Sequence, residues 1–292
     1  MPEPVFRTLE ILLKGAIAAT GTKITIHGEH HIPERGGALI AMNHTSYLDW
    51  LPAELASVNR GRRLRFLIKG ELQQLRSVNF IIRHIKLIPV DRSAGAQAYA
   101  LAILRLREGE LVGLHPEATI SRSFELRDFK TGAVRLAHES KVPVVPMIVW
   151  GAHRIWTKGH AKSLGRKKIP ITVKIGAPIY AAATLEQTQV ALHSSMNTLL
   201  HEAQESYPHP AGAYWVPRRL GGGAPTPEEA KALDEAELTE RAYRRSDRDK
   251  QARKLVELSA RRWRVAKAAR PAGTGESPRA RNVTGEQPQR IA

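Results

Sequence analysis

The sequence predicts an α/β domain on a mixed, mostly parallel central sheet flanked by helices. An amphipathic N-terminal helix precedes it, and a basic C-terminal tail, first helical and then disordered, follows. Three observations carry this reading. Strand-length apolar runs alternate with helix-length periodic segments from residue 23 to about 210. Several of the runs are apolar along their whole length, as buried sheet strands are. The composition then changes: from Arg241 onward there are 15 Lys and Arg against 5 Asp and Glu, so +10 of the net +17 lies there.

The elements follow in order. Phe6, Leu9, Leu13 and Ala16 or Ile17 recur at helical spacing, a stripe that suits a helix packed on the domain or one lying in a membrane interface. Residues 23–27 alternate like a half-buried strand, and 38–42 form a short buried one. Residues 49–58 are helical, 65–68 a strand, 71–85 a helix and 86–90 a strand ending in Asp91-Arg92. The Ala- and Leu-rich segment 95–108 is a helix and 110–114 a strand that runs into His115-Pro116-Glu117. Residues 131–140 are a helix, 142–150 and 171–175 strands, and 185–206 a helix. The compact part is expected to end near Arg219, with Gly221–Gly223 as a linker. Thr226-Pro227-Glu228-Glu229 then opens a charged helix, Thr226 capping it and Glu229 reaching back. From Pro271 the chain is rich in Gly, Pro and Arg without periodicity, which predicts disorder. The expected boundaries are thus 1–22, 23–219, 220–270 and 271–292.

Composition narrows the function. The chain has no cysteine, which excludes disulfides, thiolate metal sites and a cysteine nucleophile. A pI near 10.4 calls for an anionic partner: a membrane surface, a phosphorylated substrate or nucleic acid. Aromatics at 5% are sparse for a surface that stacks single strands, so nucleic acid is the disfavoured partner. No apolar run reaches the ~20 residues of a membrane-spanning helix. His27, His30 and His31 lie beside a strand without a matching carboxylate pattern, and no metal is expected.

Chemistry concentrates at strand ends. His44 and Asp49 sit five positions apart where a strand passes into a helix. An imidazole there can accept a proton near neutral pH, and a carboxylate can fix its tautomer. The same pair also reads as a structural histidine beside a helix cap. The loop Pro116–Arg122 follows a buried strand, the position where open sheets bind ligands, and its hydroxyls, amides and Arg122 suit a phosphate. Arg62, Arg63, Arg65, Lys69, Arg83, Lys86 and Arg92 form a basic set that is either phosphate-binding or a solvated face.

Four segments in order, NHTSYLD (43–49), LIPVDRS (87–93), HPEATIS (115–121) and VPVVPMIVWG (142–151), resemble the glycerolipid acyltransferase family, typified by bacterial 1-acylglycerol-3-phosphate acyltransferases. The resemblance covers about residues 23–210. It implies that His44 is the general base and Asp49 its orienting partner, with direct attack of an alcohol on an acyl thioester. It implies that Lys69, Arg92, Glu117, Ala118, Thr119 and Ser121 line the acceptor's phosphate site, and that residues 144–146 lie toward the acyl donor. No cofactor is implied beyond acyl-CoA or acyl-carrier protein as donor. The implied partners are a lysophospholipid acceptor and an anionic membrane surface, and the implied place is the cytoplasmic face of the cell membrane, peripheral or monotopic. Two positions depart: the family's Gly is Ala118 and its Arg is Ile120, with Arg122, two residues on, the guanidinium expected to substitute. The basic helical tail suits anionic lipid, nucleic acid or plain solvation.

Overall fold

The computed structural model describes residues 4–70, 79–80, 82, 84–90, 95–180 and 184–268, with the backbone alone for Lys69 and 260–268. Most of the predicted 71–85 helix, Asp91, Arg92 and the 271–292 tail lie outside the described residues, as does Arg83. Two compact units are present, Met1–Leu233 and Asp234–Ala292.

The first unit is an α/β domain around a seven-stranded sheet in the order β1-β7-β6-β2-β5-β3-β4. The strands are β1 (Lys23–His27), β2 (Ala38–Met42), β3 (Leu64–Lys69), β4 (Ile88–Val90), β5 (Leu111–Leu114), β6 (Val144–Trp150) and β7 (Pro170–Ile175). All neighbours run parallel except β6 and β7, which are antiparallel. Every residue of β2 and β6 is buried, as continuous apolar strands at a sheet centre should be.

Helices cover both faces. The side chains of Leu39, Ala41, Val112 and Ile148 point to one face, where α3 (Gly95–Arg107), α4 (Gly132–Ser140) and α5 (Leu185–Glu205) pack. Their neighbours Ile40, Met42, Leu111 and Met147 point to the other, covered by α2 (Trp50–Asn59). The inward side of α1 (Pro4–Thr20), with Phe6, Leu9 and Leu13, borders a cavity with α2 and β3, while Ile11 and Leu12 stay exposed. The stripe read from the sequence is therefore packed against the domain along one side.

The first unit continues past the expected end at Arg219. Val216, Ala224 and Ala230 are buried, and Arg218 donates to Ala224 O and Glu229. Gly221–Gly223 is no open linker: a Cβ on Gly222 would stand 1.9 Å from Val216 O, and Gly223 N donates to Ala213 O. The cap beyond it forms as predicted, with Thr226 Oγ1 accepting from Glu229 N and Glu229 Oε2 from Thr226 N. It opens α6 (Pro227–Ala268).

Candidate active site

The site begins where β2 ends. Asn43 is buried, and its amide both donates to Val149 O (3.0 Å) and accepts from Val149 N (2.7 Å), imitating one more strand residue on β6. The chain must then turn away, and His44 is the first residue past that anchor. Its backbone is held from both sides: His44 N donates to Glu117 Oε1 (2.8 Å), and Ser121 N donates to His44 O (2.7 Å).

The imidazole Nδ1 of His44 lies 3.3 Å from Asp49 Oδ2. That oxygen also accepts the N–H of Thr45 and of Ser46, each at 2.8 Å. Asp49 opens α2 by position but makes no side-chain cap on the helix, because its carboxylate is folded back onto the His44 loop. The side chain of Asp49 is 0% accessible and that of His44 is 21%. The acid is sealed and the base reaches open space.

Behind His44 lies a second histidine that sequence reasoning missed. The His115 ring stacks on His44 with centroids 3.9 Å apart and planes 15° from parallel, and its Nδ1 meets Asn43 O at 2.9 Å. The two histidines are far apart in sequence and meet because β2 pairs with β5, Ala41 opposite Leu114. The available signal was its place at the end of a buried strand, next to the Pro-Glu pair.

Burial sets the charges. It pushes the Asp49 carboxyl up to about 7, against the pull of His115 and the two backbone N–H donors. Asp49 Oδ1 is buried with no partner among the described residues, which is why desolvation outweighs those donors. Burial and the neighbouring His44 lower His115 to about 4, so it stands neutral beside His44 at physiological pH. Neutral His115 leaves Asp49 as the charge that faces an imidazolium on His44.

His44, Asp49 and His115 each place a ligand atom within 4.8 Å of the others. Two of those side chains already have committed atoms: Asp49 Oδ2 takes three N–H groups if His44 carries its proton on Nδ1, and His115 Nδ1 faces a carbonyl.

Several expected phosphate ligands do other work. Glu117 is buried and clasps two loops, accepting from His44 N and from Arg127 N (3.1 Å); burial raises it to about 8. Ser121 is sealed, its Oγ donating to Glu125 O at 2.7 Å. Ala118 is exposed with φ 59°, the left-handed region that a glycine fills without strain. Ile120 is buried and offers no polar group. Thr119 and Arg122 are half-buried, and Arg122 extends toward Gly159. Lys69 is placed by its backbone alone, opposite Val90, and Arg92 lies outside the described residues.

Of the other basic residues, Arg62, Arg63, Arg65 and Lys86 are not at this site. Arg62 donates to the carbonyls of Pro33, Gly36 and Gly109, while Arg65 and Lys86 share Glu110. They line a polar cavity of about 510 Å³ at the amino ends of β3 and β5, the opposite end of the sheet from His44. The sequence left them as either phosphate ligands or a solvated face, and the parallel strands set them at the other end from the phosphate loop.

His44 and His115 instead border an apolar cavity of about 490 Å³, walled by Trp50, Phe66, Leu67 and Leu87 and closed by Phe6 and Leu13. A volume of this size, lined mostly by carbon, with Glu10 and Glu54 also on its wall and the two histidines at one end, suits an extended apolar ligand.

Residues 23–150 match the family model described as Acyltransferase. A relative from Limnanthes douglasii, "1-acyl-sn-glycerol-3-phosphate acyltransferase", is 33% identical over 166 residues, covering 54% of this chain and 55% of the relative. A protein of the same description from Bacillus subtilis is 27% identical over 163 residues, covering 54% and 75%. The chain thus spans about half the length of its plant relative. The crystal structure of the 1-acyl-sn-glycerophosphate acyltransferase of Thermotoga maritima superposes with a TM-score of 0.58 at 22% identity, over 70% of this chain and 81% of that one, a likeness of fold.

Proposed function

We propose, from the match of residues 23–150 to the family model described as Acyltransferase, that this chain moves a fatty acyl group from a thioester to the sn-2 hydroxyl of 1-acylglycerol 3-phosphate, giving phosphatidic acid. The observation that carries the reading is a base with one fifth of its side chain exposed, set on a sealed carboxylate and bordering an apolar cavity.

With Nδ1 turned to Asp49, His44 takes the acceptor's hydroxyl proton on Nε2. The oxygen attacks the thioester carbonyl and forms a tetrahedral intermediate. Collapse breaks the carbon–sulfur bond, and the departing thiolate receives the proton back from His44. The products are an ester and a free thiol, with no covalent acyl-enzyme and no cofactor beyond the donor, acyl-CoA or acyl-carrier protein. Asp49 holds the tautomer and faces the imidazolium. The acyl chain occupies the apolar cavity. Lys69, Arg92, Thr119 and Arg122 hold the acceptor phosphate, Arg122 serving where the family's arginine is Ile120.

The substrate and product are membrane lipids, so the reading places the chain at the cytoplasmic membrane face as a peripheral protein. No helix among the described residues is long and apolar enough to cross a membrane. A second acceptor, glycerol 3-phosphate or another lysophospholipid, is favoured by one observation: buried Ile120 removes a phosphate contact of a kind worth about 1.5–3 kcal/mol.

The test is thiol release from acyl-CoA with lysophosphatidate in mixed micelles, comparing the parent with His44→Ala. The chain has no cysteine, so every thiol detected comes from the donor. A loss of roughly 10²–10⁴ in turnover is expected. Turnover that survives the substitution sinks the mechanism, and turnover only with other acceptors shifts the substrate.

A further inference from the structure

From Lys141 to Leu185 the sequence has eight Lys or Arg and no Asp or Glu. Six of the eight fall in the connection between β6 and β7, residues 151–169. Because β7 returns antiparallel to β6, the connection stays at the carboxyl end of β6, on the rim that carries His44. Its outer part is exposed: Lys162, Arg166, Lys167 and Lys168 stand in solvent around Leu164, which is 69% accessible. An apolar side chain held out among cations is the composition that binds anionic bilayers, the Leu entering the headgroup layer and the cations meeting phosphates. An acidic protein surface would satisfy the cations but offers nothing specific to the isolated leucine.

The connection is also tied to the catalytic loop. Ser46 Oγ donates to Trp156 O at 2.7 Å, Tyr47 N to the same carbonyl at 3.2 Å, and Thr157 Oγ1 to Thr45 O at 2.6 Å. Thr45 and Ser46 are the residues whose N–H groups hold Asp49. Lys162 Nζ lies 4.0 Å above the Trp156 ring, which links the outer cations to that inner anchor. The base of the connection meets α1, with Lys168 N donating to Thr20 O.

We propose that the β6–β7 connection is the element that docks this protein on anionic lipid headgroups, with Leu164 inserted and Lys162, Arg166, Lys167 and Lys168 on the phosphates, so that the loop holding His44 and Asp49 faces the bilayer. The proposal deepens the membrane-surface reading given above, and its primary test needs no turnover.

The full chain is sedimented with vesicles of phosphatidylcholine and with vesicles that also contain phosphatidylglycerol. The parent is expected to bind the second and not the first. Each basic residue at such a surface contributes about fivefold to partitioning, so the variant Arg166→Gln, Lys167→Gln, Lys168→Gln should partition roughly a hundredfold more weakly. Leu164→Ser should weaken binding without a charge change. A control variant neutralises three cations of α6, Arg248→Gln, Arg253→Gln and Lys254→Gln. If it loses as much as the loop variant, net charge and not the loop is being read, and the proposal fails. It fails equally if the loop variant partitions like the parent, or if it keeps vesicle binding and loses binding to an acyl-carrier protein instead. Turnover separates this idea from the chemistry: the loop variant should lose activity on vesicle-embedded acceptor and keep it on a short-chain, water-soluble one. Equal loss on both acceptors overturns the docking role. Vesicle binding by a chain without any acyl transfer would leave the docking intact and remove the proposed reaction.

Discussion

Two cavities of similar volume flank β3, and they differ in almost everything else. The one of about 490 Å³ is walled by carbon and has His44 and His115 at its edge; the one of about 510 Å³ is ringed by Arg62, Arg65, Lys86 and Glu110. A charge count favours the second as a substrate site. Its cations are nevertheless committed, three carbonyls to Arg62 and one carboxylate to Arg65 and Lys86. The first has a histidine backed by a sealed acid and open to the cavity. What marks a reactive site is a base on a sealed acid beside an apolar wall, and position at the carboxyl strand ends locates it better than charge does.

The comparison breaks most visibly at Asp49. Asp49→Asn keeps the shape but not the charge opposite His44, and a loss of roughly 10²–10⁴ in kcat is expected. In the parent, Asp49 takes up a proton as pH falls through about 7, so activity should decline on the acid side there, and the variant should lack that contribution. Stability carries the opposite sign. Folded Asp49 keeps its proton to about 7 while the unfolded chain releases it near 3.8, so its contribution is full below 3.8 and lost as pH rises through 7. Above pH 7 the variant is expected to melt no lower than the parent, and a lower melting point there would contradict the sealed acid.

The polar cavity makes a smaller claim. Arg65→Met takes the guanidinium from Glu110 and the donor from Ile85 O, which should cost about 3 kcal/mol of stability by urea unfolding. Turnover per folded molecule should hold. If kcat collapses in a folded variant, the two cavities are functionally coupled and the contrast fails. The smallest effect belongs to the third motif loop: Ala118→Gly relieves a left-handed φ and should raise stability by about 1 kcal/mol with kcat unchanged.

Much of the molecule was legible in the order of residues. The apolar runs at 38–42 and 110–114 and the periodic segment 185–206 became strands and a helix within a residue or two, because burial on both faces or on one stripe leaves a local signature. The spacing of His44 and Asp49 pointed to the pair that the turn after Asn43 brings together. Pairing across the sheet left no such trace. His115 stacks on His44 only because β5 lies beside β2, and Arg62, Arg65 and Lys86 fall at the far end only because β3 runs parallel to β2 through β5. Glu117 looked like a ligand from its motif, yet its two oxygens serve backbone N–H groups from separate loops, a role fixed by tertiary closure.

The antiparallel turn of β7 also bears on how this protein can vary. Between parallel neighbours, a connection must cross back over the sheet, and its length is constrained by the helix it carries. Between β6 and β7 the chain needs only to reverse, and doubling the length of such a loop adds only about 0.6 kcal/mol of closure entropy. The segment 158–168 can therefore lengthen, shorten or change its charge while Trp156 and Thr157 keep their grip on the loop beneath. Descendants of this fold have one face that can be rewritten for a new surface without disturbing the residues that do the chemistry.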